Sequence, residues 1–260
     1  MQSTNDVEHR DKEKPGVATD IIILVLGVTG VGKSSFINSA ARSADATVVG
    51  HTLTSCTSDI QRVPCTHPGD PARRVILVDT PGFDDTYVDD FTTLQRIVEG
   101  LRSLYVDNMK IAGVIYLHDI TQTRFALSRT AVNTVKHLCG ASALKNVILT
   151  TTKWNEISDE ALGQRRLEEL SAASGSWREM LEQGSRVARF EDTAESAWEI
   201  IDIIVQNPLE DRLQIERDIG QGKATSATDA GYALKEKVRS EQRRTSWLSR
   251  LGQKWASLFH

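Results

Sequence analysis

The sequence predicts an α/β domain built on a mostly parallel six-stranded sheet, with one antiparallel edge strand and helices on both faces. Short apolar runs rich in β-branched residues recur along the chain, as expected of strands buried on both faces of a parallel sheet. Segments with helical periodicity separate them, which is typical of strand–helix–strand crossovers. The 260 residues are enough for one such domain with extensions.

Each element is predicted from its own pattern. The continuous apolar runs predict strands, and the alternating segment 58–65 is predicted to pair antiparallel with 73–79 across a turn rich in Pro and Gly. The predicted strands are 20–27, 58–65, 73–79, 112–118, 146–151 and 185–190. The predicted helices are 33–42, 89–104, 128–139, 158–182 and 193–206.

Composition changes at both ends of this region. Residues 1–19 are polar and charged and are predicted to be a flexible N-terminus. The domain is predicted to span 20–206, with a helical extension over 207–260 that ends in an amphipathic basic helix. That final helix is predicted over 243–260, and its apolar sector contains Trp247, Leu248, Leu251, Trp255, Leu258 and Phe259. It suits a membrane surface, and it equally suits docking on its own domain or on a second copy.

Charge and composition narrow the class of protein. The formal net charge of −4 argues against a nucleic-acid binder, so no nucleic-acid partner is expected. The three cysteines show no CxxC spacing and are interpreted as reduced thiols of a cytosolic-type compartment. No segment reaches the roughly 18 apolar residues of a membrane span, and no signal peptide is recognised. The predicted location is cytoplasmic, with peripheral membrane contact through the tail.

The first strand leads directly into "GVTGVGKS", Gly27–Ser34, which fits the phosphate-binding pattern G-x-x-x-x-G-K-[ST]. Glycines let backbone N–H groups turn toward a phosphate, while Lys33 can reach the terminal phosphates and Ser34 can offer its hydroxyl to Mg²⁺. The predicted phosphate-side residues are Gly27, Thr29, Gly30, Val31, Gly32, Lys33, Ser34 and Ser35. This motif by itself does not choose between ATP and GTP.

A second element is "VILVDTPGFDD". Asp79 ends an apolar strand, so its carboxylate is expected at the carboxyl edge of the sheet, where it can hold Mg²⁺ through a water. Gly82 offers a backbone N–H to a γ-phosphate. The Asp-Thr-Pro-Gly motif resembles the translation-factor-related class of P-loop GTPases. In that resemblance Thr57 is the switch threonine over Mg²⁺ and the γ-phosphate, with Thr52 and Thr54 as competitors.

Phe83 stands where small GTPases place a water-orienting Gln. A phenyl ring cannot position water. Asp84 and Asp85 follow, but an anion is a poor neighbour for a γ-phosphate. Slow intrinsic hydrolysis is therefore expected.

The translation-factor-related class also carries a base-reading element, [NT]-K-x-D, and Thr152-Lys153-Trp154-Asn155 resembles this base motif except that Asn replaces Asp. Guanine presents two donors there, whereas an amide offers one acceptor and one donor, so about 1.5–3 kcal/mol is lost. We favour weakened binding of guanine. Two alternatives stay open: the site prefers another purine, or Glu156 takes the role of the missing carboxylate. Phe190 is predicted beside the base, with a core position as the alternative.

Together, Gly27–Ser34, Thr57, Asp79–Gly82 and Thr152–Asn155 resemble a septin-related group of P-loop GTPases. That group includes immunity-associated and chloroplast import-receptor GTPases, and the wider framework is similar to fungal G domain-containing proteins. The resemblance implies a P-loop NTPase G domain, GTP or GDP with Mg²⁺ as cofactors, and low GTPase activity. It also implies a homodimer across the nucleotide faces, in which Arg124 can act on the partner's site.

The resemblance thus gives Lys33, Thr57, Gly82 and Arg124 as catalytic residues and Ser34, Thr57 and Asp79 as metal ligands. The predicted function is a guanine-nucleotide-binding switch with slow, Mg²⁺-dependent hydrolysis. The alternative is a hydrolysis-deficient scaffold or a membrane-associated assembly protein.

Overall fold

The structure is a computed structural model that describes residues 20–43, 46, 60–85, 88–122, 125–172, 177–236 and 239. Four predictions fall outside the described residues: the flexible N-terminus 1–19, the switch threonine Thr57, the partner-directed Arg124 and the amphipathic tail 243–260.

Six strands form one sheet, and apolar β-branched residues dominate its centre. Their order across the sheet is β2-β3-β1-β4-β5-β6. Every neighbouring pair is parallel except β2 and β3, which confirms the predicted antiparallel edge strand. The strands are β1 (Ile21–Gly27), β2 (Gln61–His67), β3 (Asp70–Asp79), β4 (Ile111–Asp119), β5 (Val147–Thr152) and β6 (Arg186–Arg189).

Helices connect the parallel strands. The described α-helices are α1 (Lys33–Ala41), α2 (Asp90–Val106), α3 (Phe125–Cys139), α4 (Glu160–Ser171), α5 (Arg178–Glu182), α6 (Ala194–Gln206) and α7 (Gln214–Gly220). Residues 229–236 are also helical. Three short 3₁₀ helices lie at Ala141–Asn146, Trp154–Glu156 and Thr225–Ala227.

The prediction of one continuous helix over 158–182 is wrong. The first helix there, α4, ends at Ser171, and the second, α5, begins at Arg178. The sequence between them contains Ser-Gly-Ser, which is a poor helix former. The backbone N–H of Trp177 donates to the carbonyl of Leu170, and the Trp177 side chain is fully buried. Burying this large side chain favours the break over a continuous helix.

The sheet has a hydrophobic core on each face. Along β1, Ile22, Leu24 and Leu26 belong to the core that contains α2 and α3, whereas Ile23 and Val25 belong to the core that contains α1 and α6. This alternation confirms that helices cover both faces. Two of the three thiols, those of Cys65 and Cys139, are free and buried in these cores.

The extension after residue 206 shares the first of these cores. Leu209, Leu213, Ile219 and Leu234 are buried together with residues of α2 and α3. The buried carboxylate of Glu216 accepts hydrogen bonds from the backbone N–H of Leu213 at 2.8 Å and from Arg212 at 3.0 Å. Residues 207–236 are therefore packed onto the sheet's helices. Among the described residues, no helix combines the length and apolar character needed to span a bilayer.

Candidate functional site

The loop between β1 and α1 lies at the carboxyl edge of the sheet, where α/β proteins bind ligands. Gly30 and Gly32 have φ values of 76° and 97°, a region that favours glycine. An added Cβ at either position would meet nothing within 4 Å, so backbone conformation rather than crowding requires glycine there. The loop ends at the N-terminus of α1, which is favourable for an anion.

Lys33 is buried at the base of this loop and is only 8% exposed. Its Nζ donates to the carbonyl of Val28 at 3.0 Å and to that of Gly27 at 3.3 Å. Burial lowers the pKa of Lys33 to about 8, although Asp79 and Asp85 act in the opposite direction. A shielded ammonium of this kind attracts phosphate more strongly than an exposed one.

The predicted metal ligands that the structure describes meet beside the loop. The hydroxyl of Ser34 donates to Oδ2 of Asp79 at 3.3 Å, and Asp79 is 1% exposed at the end of β3. A hydroxyl and a carboxylate next to a phosphate site fit Mg²⁺, which takes few protein ligands and keeps waters and phosphate oxygens. Within the described parts of the chain, no group of three or more His, Cys, Asp or Glu can hold a metal.

The segment after Asp79 lies against the phosphate loop. A Cβ on Gly82 would come within 2.5–2.7 Å of Thr29 atoms, so only glycine fits there. Phe83 accepts from the backbone N–H of Thr29 at 2.8 Å and donates its own N–H to the carbonyl of Gly27 at 3.2 Å. Its ring is 1% exposed, in the core shared with α2. Phe83 is thus a packing residue.

The base motif is joined to the phosphate loop by Thr152. This buried hydroxyl donates to the carbonyl of Val31 at 2.8 Å and to that of His118 at 3.3 Å. Thr152 therefore holds the end of β5 against the loop. Both described contacts of its hydroxyl are to backbone, which gives it a positioning role, and its contact with nucleotide stays a prediction.

Lys153 follows in the left-handed conformation, with φ 61°. Its Nζ lies 2.9 Å from Oδ2 of Asp119 at the end of β4. Burial acts to raise the pKa of Asp119, but hydrogen bonds from Thr121 and Lys153 outweigh burial and hold that pKa below its usual range. Sequence reasoning missed Asp119, although an Asp ending an apolar strand was the same signal that identified Asp79.

Asn155 and Glu156 are exposed on the loop that Trp154 anchors. The indole N–H of Trp154 donates to Oγ1 of Thr151 at 2.9 Å, and the guanidinium of Arg189 lies 4.0 Å from the ring centroid. The loop is therefore fixed at Trp154, while the side chain at the base-reading position faces outward.

The loop after β6 corrects one prediction and adds one residue. Phe190 is fully buried, with its ring 5.0 Å from that of Phe36, so a base contact by this side chain is not supported. Asp192 has φ 56° in the same loop. Burial and the nearby Glu156 raise the pKa of Asp192, and Lys153 opposes them. Asp192 thus adds a carboxylate on the base side that the sequence analysis missed.

The phosphate loop, Asp79–Gly82 and Thr152–Asn155 therefore lie at the carboxyl ends of three parallel strands, β1, β3 and β5, at one edge of the sheet. Ser35 lies in the first turn of α1 and is half-buried.

The chain is similar in sequence to a known protein. GTP-binding protein A of Dictyostelium discoideum is 27% identical over 163 residues, covering 60% of this chain and 33% of that protein. The chain thus spans about a third of that relative.

Two solved structures share the fold. One is of the chloroplast translocon components Toc33 of Arabidopsis thaliana and psToc159, described as having GTPase activity for which dimerisation is important. It is 18% identical, with a TM-score of 0.56, over 75% of this chain and 85% of that one. The other is Era in complex with MgGDPNP and nucleotides 1506–1542 of 16S ribosomal RNA. It is 15% identical, with a TM-score of 0.54, over 75% of this chain and 58% of that one. At these identities the likeness concerns the fold.

The profile of the family described as 50S ribosome-binding GTPase matches residues 22–155, just over half of the chain. The match contains the phosphate loop, the Asp-Thr-Pro-Gly segment and the base motif. It confirms the predicted P-loop GTPase fold, with GTP or GDP and Mg²⁺ as the ligands of such a site. This chain belongs to the family of 50S ribosome-binding GTPases.

Proposed function

We propose that this chain is a guanine-nucleotide-dependent switch that hydrolyses GTP slowly with Mg²⁺ and is controlled by self-association across the nucleotide face. The observation that carries this proposal is the position of Phe83. Its ring is buried, and its backbone is hydrogen-bonded to the phosphate loop. A phosphate loop with Ser34 and Asp79 beside it, and with no water-orienting side chain at position 83, is expected to bind nucleotide well and to hydrolyse it slowly.

Each phosphate-side residue has a defined task. Lys33 neutralises charge on the terminal phosphates, Ser34 and Asp79 orient the metal, and the N–H of Gly82 faces the γ-phosphate. A bound Mg²⁺ would be held by Ser34 and Asp79 and would supply positive charge that offsets the charge of the phosphates. Because Phe83 cannot orient an attacking water, turnover then depends on stabilisation of the transition state, which self-association supplies.

Arg124 is the residue proposed to act on the partner's site. It lies five residues after Asp119, which ends β4 at the edge of the sheet that carries the phosphate loop. An arginine finger raises turnover by stabilising charge in the transition state. The role of dimerisation in the GTPase activity described for Toc33 and psToc159 supports a homodimer here by analogy of fold.

Single-turnover GTP hydrolysis across a protein concentration series tests this function. The wild-type rate constant is expected to rise with concentration, whereas Arg124→Ala removes the rise. Arg73→Ala is the matched control, because Arg73 lies near the β2–β3 turn, at the opposite edge of the sheet. A concentration-independent rate in a protein that is saturated with GTP contradicts control by self-association.

The second candidate is a nucleotide-binding scaffold that does not hydrolyse GTP. The buried Phe83 and the exposed Asn155 favour it. In the same assay this candidate predicts bound GTP with no turnover at any concentration.

The finer affiliation and partners are also proposals. The motifs support membership of a septin-related group of GTPases. The similarity in fold to Toc33 favours the chloroplast import-receptor GTPases within that group. A cytoplasmic location with membrane contact through residues 243–260 rests on the sequence of that tail, as does its alternative of docking on the domain or a second copy. Co-sedimentation with anionic liposomes, with and without these residues, distinguishes them. No nucleic-acid partner is proposed, on the net charge of −4.

A further inference from the structure

The segment that follows the Asp-Thr-Pro-Gly motif is held against the phosphate loop by three contacts. The two backbone hydrogen bonds of Phe83 to Thr29 and Gly27 make a parallel bridge between Val28 and Phe83. The third contact is made by a side chain: Oγ1 of Thr29 donates to Oδ2 of Asp85 at 3.2 Å. A carboxylate is therefore positioned directly on the loop that binds phosphate.

Asp85 also acts on the ammonium of Lys33. Two carboxylates stabilise the charged form of this buried lysine, and they are Asp79 and Asp85. Asp79 comes from the end of β3 on the Ser34 side, where the metal belongs. Asp85 contacts Thr29, which also lies against Gly82, the residue proposed to face the γ-phosphate. The two carboxylates thus approach the phosphate loop from different sides.

The neighbouring acidic residues have other tasks. Asp89 caps α2 by accepting from the backbone N–H groups of Phe91 and Thr92. Asp90 accepts from the backbone N–H of Asp84 at 2.7 Å, and Asp84 itself is exposed. The contact with Asp90 thus holds the backbone of Asp84, the residue before Asp85.

A diphosphate and a triphosphate meet this carboxylate differently. On the proposed function, a nucleoside diphosphate would occupy the loop without a γ-phosphate, and Asp85 would keep its contact with Thr29. A triphosphate would add negative charge near this carboxylate. Like charges repel, so the triphosphate would either displace Asp85 or bind beside it with lower affinity.

We propose that Asp85, held by Thr29, is a specificity-determining residue that lowers the affinity for a nucleoside triphosphate relative to the diphosphate. This inference rests on the proposed guanine-nucleotide function. It adds that the resting preference of the switch for GDP is set within the chain, by a carboxylate that takes the place of the γ-phosphate.

Equilibrium binding of GDP and of GMPPNP, each with Mg²⁺, tests the proposal on the full chain. Asp85→Asn keeps the shape and the acceptor for Thr29 but removes the charge. It is expected to tighten GMPPNP binding about tenfold while changing GDP binding less than about threefold. The matched control is Asp84→Asn, which makes the same change of charge at the adjacent residue. Its ratio of GMPPNP affinity to GDP affinity is expected to equal that of the wild type.

Two further measurements keep the outcome decisive. Thr29→Val removes the hydroxyl that restrains Asp85 and is expected to shift the ratio in the same direction by about two- to threefold. The difference between the GDP and GMPPNP affinities of the wild type is expected to decrease at high salt, because salt screens the repulsion between Asp85 and the triphosphate.

An affinity ratio that is the same in Asp85→Asn, Thr29→Val and wild type overturns the proposal, as does weaker GMPPNP binding in Asp85→Asn. If the wild type retains neither GDP nor GMPPNP, the proposed function fails as well. The two failures are therefore distinguishable.

Discussion

The phosphate side and the base side of the site differ in what holds the ligand. On the phosphate side the structure uses backbone: the glycine turn, the carbonyls around Lys33 and the close approach of Gly82 to Thr29. On the base side the position proposed to read the base is one exposed side chain, Asn155. Exchange of an exposed loop residue costs the fold little, typically within 0.5 kcal/mol. The fold therefore constrains phosphate binding, while base preference can differ at little cost in stability.

The largest expected effect is on the phosphate side. Lys33→Ala removes the buried ammonium, so affinity for GDP with Mg²⁺ is expected to fall by about a hundredfold or more. Titration calorimetry measures this. Lys145→Ala, an exposed lysine just before β5, is the control and should bind like the wild type. Binding by Lys33→Ala within threefold of wild type would contradict the assigned role.

On the base side, Asn155→Asp restores two acceptors for guanine and is expected to tighten GDP binding about tenfold. Competition between GDP, IDP and XDP measures base preference. Glu156→Gln is the companion variant, because a loss of guanine binding in that variant instead would identify Glu156 as the guanine-reading residue.

A smaller effect is expected where the base loop is held. Asp119→Asn weakens the contact with Lys153 and is expected to lower the free energy of unfolding by about 1–2 kcal/mol at neutral pH. The pKa of Asp119 is lowered in the fold. Its stabilising contribution is therefore present above the ordinary value near 3.8 and is lost as pH falls through the folded pKa. Urea denaturation at pH 7 and near pH 3 measures this change. The difference in free energy of unfolding between variant and wild type should be smaller near pH 3, and an equal difference at both pH values argues against an ionic role.

The smallest effect is expected at the link between the two sides. Thr152→Val keeps the volume but removes the hydroxyl that donates to Val31, so about 1 kcal/mol of stability is lost. Thermal or urea unfolding measures this change. Thr66→Val, on an exposed position of β2, serves as the control, and equal effects in the two variants would mean that the link is not important.

The strands were predictable because burial on both faces leaves continuous apolar runs, as in Ile22–Leu26. Asp79 and Lys33 were predictable because their tasks are local to a motif. By contrast, the Thr29–Asp85 and Lys153–Asp119 contacts join residues 56 and 34 positions apart, and no local pattern encodes them. The break before Trp177 was missed for a similar reason, because burial of this side chain overrides the helical periodicity around it.

The helical region after residue 206 determines how the protein can be shortened. Leu213 and Ile219 cover apolar surface of α2 and α3, and Arg102 of α2 donates to the carbonyl of Lys223. A truncated version that stops at 206 would leave that surface open to water and to aggregation. In the helix 229–236, Lys235 also lies over the ring of Phe91, at the start of α2. The shortest chain worth expressing therefore includes residues up to Glu236.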